Sequence, residues 1–80
     1  MTKQLKASTI KNYSLAQIVN HAENFMIQHD TMNFRFSNCG HQYVMVFEYD
    51  ANSNSYSFAG NYDKADFVDE VLSSIYRASK

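Results

Sequence analysis

The sequence predicts a single small α+β domain of order α-β-β-β-α, a three-stranded antiparallel meander with two helices packed on one face. Three observations carry this. Apolar residues recur at three- and four-residue spacing over 15–29, and again beyond Asp63. Between them, three segments alternate apolar and polar residues with the period of a strand. Polar clusters at Asn38-Cys39-Gly40-His41 and Asp50-Ala51-Asn52-Ser53-Asn54-Ser55 separate those segments. Two amphipathic helices and one sheet each need an apolar partner, and stacking them as layers satisfies all three. Eighty residues without proline and with two glycines signal one domain and no linker. The expected division is a basic N-terminal tail over 1–12 and the α+β domain over 13–80.

The first helix has a start signal. Ser14-Leu15-Ala16-Gln17 is a capping box, with Tyr13 and Ile18 placed as a hydrophobic staple. Leu15, Ile18, Val19, Ala22, Phe25, Met26 and His29 form its apolar stripe, and His29 is expected to be partly buried. Met32, Phe34 and Phe36 alternate with Asn33, Arg35 and Ser37 as a first strand. Tyr43–Asp50 is the second strand, and a short third covers Tyr56–Gly60. Asp63 is the expected N-cap of the last helix, where Asp66 meets the positive end of the helix dipole. Phe67, Val68, Val71, Leu72 and Ile75 make the buried stripe of that helix.

Turn geometry fixes which strand face is the core. A tight turn centred on Cys39-Gly40 pairs Phe36 with Tyr43, Phe34 with Met45 and Met32 with Phe47. A turn centred on Ser53-Asn54 pairs Tyr49 with Phe58. This register gathers the large apolar side chains on one face, beneath the helices. It leaves Asn33, Arg35, Ser37, Val44, Val46, Glu48, Ser57 and Ala59 on the back, with Val44 and Val46 as a small apolar contact spot.

The chemistry of enzymes and cofactor proteins is missing from the pattern. Cys39 and His41 form one short-spaced pair, whereas a structural zinc site draws on two. His21 and His29 stand eight apart, too far to chelate one ion. No phosphate loop or nucleophile elbow occurs. No catalytic, metal or cofactor residue is therefore assigned, and no enzymatic activity is expected. A lone cysteine and a Lys-rich start without an apolar core fit a cytoplasmic protein rather than a secreted one. No apolar run reaches the ~18 residues of a membrane span.

Charge narrows the partner class. Residues 1–11 carry three lysines and no acid. Residues 12–80 carry four basic residues against eight acids, a balance of −4. An acidic body is a poor footprint for phosphates and argues against direct nucleic-acid binding, leaving Lys3, Lys6, Lys11 and Arg35 as the residues for that alternative. Asp63, Asp66, Asp69 and Glu70 cluster at the start of the last helix, with Glu48 near the end of the second strand. With Arg35, Val44 and Val46 they are the expected partner-binding residues. A helix, a meander and an acidic helix over residues 14–79 resemble the small phage-encoded anti-CRISPR inhibitors. That resemblance implies an inhibitor that occludes a nucleic-acid-binding or partner surface of a CRISPR effector, with the cluster Asp63, Asp66, Asp69 and Glu70 as the corresponding functional feature. The expected function is a non-enzymatic protein-binding protein. Exposed strand edges make homodimerisation the structural alternative.

Overall fold

The computed structural model describes residues 4–38 and 42–78. A 3₁₀ turn (Ala7–Thr9) leads to helix α1 (Leu15–His29), strands β1 (Phe34–Asn38), β2 (Val44–Asp50) and β3 (Ser55–Tyr62), and a second helical rod, α2, over 64–78. The sheet is antiparallel in the order β1-β2-β3, and both helices cover one face of it. The fold class read from the sequence is the one observed.

Local chemistry explains the helix ends. Ser14 Oγ accepts the Gln17 amide at 3.1 Å, and Gln17 Oε1 accepts the Ser14 amide at 2.8 Å, closing the predicted box. Asp30 ends α1 in the left-handed conformation (φ 52°). Asp63 Oδ1 accepts the Asp66 amide at 2.8 Å and so caps α2. The middle of α2, Phe67–Leu72, is π-helical between an α turn at Lys64–Asp66 and an α-helical end at Ser73–Ala78. The wider turn rotates successive side chains, so Phe67, Val68, Val71, Leu72, Ile75 and Tyr76 are all buried together.

Two expectations are corrected. The N-terminal segment is packed rather than a free tail: Leu5 and Ile10 are 6% and 3% exposed in the core. The second correction is the register. β1 pairs with β2 as Phe34↔Glu48, Phe36↔Val46 and Asn38↔Val44. This is three residues away from the tight-turn register, and an odd shift exchanges the faces. Val44 and Val46 are 1% and 0% exposed beneath the helices, joined by Phe34, Phe36 and Tyr62. They are core, and the back-face contact spot does not exist. The reason is size: compact β-branched side chains let the helices sit close to the middle strand, while Phe34 and Phe36 fill the margin. Phe36 meets the buried Phe67 edge to face, with ring centroids 5.0 Å apart.

A bulge completes the exchange. Val46 pairs with Gly60 but Phe47 pairs with Phe58, so Ala59 is an extra residue in β3. Without it, Phe58, Gly60 and Tyr62 would share a face. With it, Tyr56 and Phe58 point away from the helices while Gly60 and Tyr62 point toward them. Gly60 sits at φ +151°, a conformation that L side chains rarely adopt.

Candidate functional site

The exchange of faces leaves the aromatic side of the sheet uncovered. Arg35, Phe47 and Phe58 form one row across the three strands, and Tyr49 and Tyr56 form the next. Ser37, Met45 and Asn61 make the row on the other side. The Phe47 and Phe58 rings meet edge to face with centroids 5.6 Å apart, and those of Tyr49 and Tyr56 at 5.4 Å. The Arg35 guanidinium lies 4.8 Å over the Tyr56 ring, within cation–π range. Phe58 is 55% exposed and Tyr49 38%.

The rings are held in place rather than splayed. The Tyr56 hydroxyl donates to the Met32 carbonyl at 2.7 Å. The Tyr49 hydroxyl donates to Asn54 Oδ1 in the β2–β3 turn. Asp50 steadies the same turn by accepting the Asn52 amide at 3.0 Å. The eight positions of this face carry Arg35 and no acid. Its electrostatic character is therefore one cation over an apolar, ring-lined plane.

The predicted partner residues are dispersed. Asp66, Asp69 and Glu70 are exposed on α2, and Asp63 is committed to the cap. Glu48 is exposed on the helix-side face, opposite Phe34 and Ser57. Val44 and Val46 are buried, as described above. Arg35 alone stands on the open face. Cys39 and His41 lie outside the described residues, and with them the metal and thiol readings of that turn. Among the described residues, no three His, Cys, Asp or Glu side chains converge as metal ligands. His29 is exposed rather than partly buried, its ring stacked on Phe25 at 4.1 Å and its Nδ1 3.0 Å from the Phe25 carbonyl.

Met45, Phe47, Tyr49, Tyr56 and Phe58 are the residues that sequence reasoning placed on the wrong side. Their side turned on the length of the β1–β2 connection, whereas the glycine in Phe58-Ala59-Gly60, which marks a bulge, signalled only that Gly60 and Tyr62 leave the Phe58 face.

One buried polar group lies apart from this face. The Tyr76 hydroxyl accepts the Leu5 amide at 2.8 Å and shares a 2.8 Å hydrogen bond with His21 Nε2. Burial lowers the His21 pKa from 6.5 and raises that of Tyr76 from 10.0. Both groups are thereby kept neutral in the fold. Their role is to fasten the N-terminal segment to α1 and α2.

No protein-family model, curated protein or solved structure matches the chain.

Proposed function

We propose that the chain is a small, non-enzymatic protein-binding protein whose working surface is the open face of the sheet. The observation behind this is the set of rings there, Phe47, Tyr49, Tyr56 and Phe58, left on the uncovered face beside Arg35 while the compact Val44 and Val46 lie beneath the helices. Tyr, Phe, Met and Arg are the residues enriched at the centres of protein interfaces. Ordered rings lose little conformational freedom on binding, so more of the burial energy appears as affinity. An inhibitor of a nucleic-acid-handling complex, such as a CRISPR effector, is a narrower form of this proposal. The resemblance in architecture and the exposed acids Asp66, Asp69 and Glu70 support it.

The test is capture of partners from bacterial lysate with tagged wild-type protein, Phe58→Asp and Asp69→Lys/Glu70→Lys, read by mass spectrometry. The same proteins are titrated with a fluorescent oligothymidylate at low salt. A protein retained by the wild type and by the α2 variant, but lost with Phe58→Asp, is the expected result. Loss with the α2 variant alone would move the working surface to the acids. Oligonucleotide binding abolished by Phe58→Asp, with no protein captured, would replace the proposal with base stacking on the same rings.

A further inference from the structure

A second surface lies along the other side of β1. We infer that the free edge of β1 and the facing side of α1 form a groove for an extended segment of a partner protein. The segment adds as a fourth strand, apolar at alternate positions and basic where it passes Glu23. The inference does not depend on the open face being the working surface.

The first support is the edge itself. β1 is the outermost strand, hydrogen-bonded within the sheet to β2 alone. Among the described residues, no backbone hydrogen bond from outside the sheet reaches Phe34–Ser37. A row of unused amides and carbonyls is a template for one more strand.

The second support is shape. Two hollows of about 440 and 250 Å³ follow one another along this edge, and Glu23 and Phe36 line both. Side chains on one face of an added strand repeat every ~6.6 Å, so successive inward residues would fall into successive hollows. The walls mix apolar side chains with Asn20, Glu23 and Asn24 of α1. Ile27 is 65% exposed and Met32 42%, and both line the larger hollow with Phe34. Val19 and Val44 line the smaller.

The third support is charge. Glu23 is exposed on α1 and is the one acid lining either hollow. Arg35 lines the larger hollow, but its guanidinium is turned onto the Tyr56 ring of the open face. Among the described residues no cation other than Arg35 lines the groove, so Glu23 presents its carboxylate there beside the apolar Ile27, Met32 and Phe34. A Lys or Arg flanked by apolar residues complements it. A second copy of this chain fits less well, because the matching edge would bring its own Glu23.

The experiment is selection of phage-displayed random twelve-residue peptides on the wild-type protein, followed by affinity measurement of the enriched sequences as synthetic peptides. Enriched peptides should alternate apolar residues around a Lys or Arg. They should bind Ile27→Lys and Glu23→Lys at least tenfold more weakly, and Phe58→Asp as tightly as the wild type. Unchanged circular dichroism and melting temperature would show that the variants fold. A proline at the centre of the peptide should abolish binding, since it removes a ladder donor. Failure to enrich any peptide would overturn the inference, as would enriched peptides indifferent to both groove variants. Loss with Phe58→Asp instead would assign the peptides to the open face. Concentration-dependent self-association abolished by Ile27→Lys would give the groove to a second copy.

Discussion

Tyr76→Phe removes one oxygen from the interior and tests how the N-terminal segment is held. The lost hydroxyl accepts the Leu5 amide at 2.8 Å, and Leu5 is 6% exposed. With Leu5 buried, removal of the acceptor leaves its amide unsatisfied at a cost of about 1–3 kcal/mol. An 80-residue domain has a total stability of about 4–12 kcal/mol. The change therefore removes a substantial part of it. In urea unfolding followed by circular dichroism, with a slope near ~1 kcal/mol/M for so small a protein, the midpoint should fall by about 1–3 M. The slope should stay the same, and exchange of the Leu5 amide should accelerate. A fall of less than ~0.3 M, with Leu5 exchange unchanged, would mean that the Tyr76 hydroxyl does not hold the N-terminal segment.

Titration of the same pair predicts a stability plateau. His21 is depressed from 6.5, so as pH falls through 6.5 the unfolded chain takes up a proton that the folded chain resists, and stability drops. Tyr76 is raised from 10.0, so as pH rises above 10.0 the unfolded chain gives up a proton first, and stability drops again. Urea midpoints should be highest between these limits, and Tyr76→Phe should remove the alkaline part of the fall. Val46→Ala, at a fully buried site, loses two methyl groups and leaves a cavity, for about 2–3 kcal/mol. Phe58→Ala, more than half exposed, should cost under ~1.5 kcal/mol, mostly its contact with Phe47. Equal or reversed costs in thermal melts would contradict the face assignment. Gly60→Ala forces a side chain into φ +151° and should lower stability by about 1–3 kcal/mol. A melting temperature equal to the wild type's would mean that the bulge relaxes.

Short-range chemistry was legible in the sequence, and pairing across the loops was not. Ser14 and Gln17, the buried stripe of α1, the Asp63 cap and the stripe from Phe67 to Ile75 were all readable, because each depends on residues within one or two turns. The strands were readable as strands. Their faces depended on how many residues separate β1 from β2. A tight turn at Cys39-Gly40 gathers the largest side chains, whereas the observed register leaves five residues between Asn38 and Val44. In YVMVFEY both faces were apolar enough to be core, so alternation alone did not choose between them. The bulge at Ala59 then reversed the later half of β3. Leu5 and Ile10 were hidden by the lysines around them. The candidate site inherited the error in the faces: Arg35 survives on it, Val44 and Val46 leave it, and four rings take their place.

In this fold the aromatic face of the sheet is open to water and Val44 and Val46 face the helices. This arrangement is tested most directly by nuclear magnetic resonance with a soluble gadolinium chelate added to the free protein. Strong relaxation is expected at the Phe58 ring and the Met45 methyl, and little at the methyls of Val44 and Val46. Protected Phe58 and Met45 signals beside relaxed Val44 and Val46 methyls would place the aromatic face under the helices and contradict it.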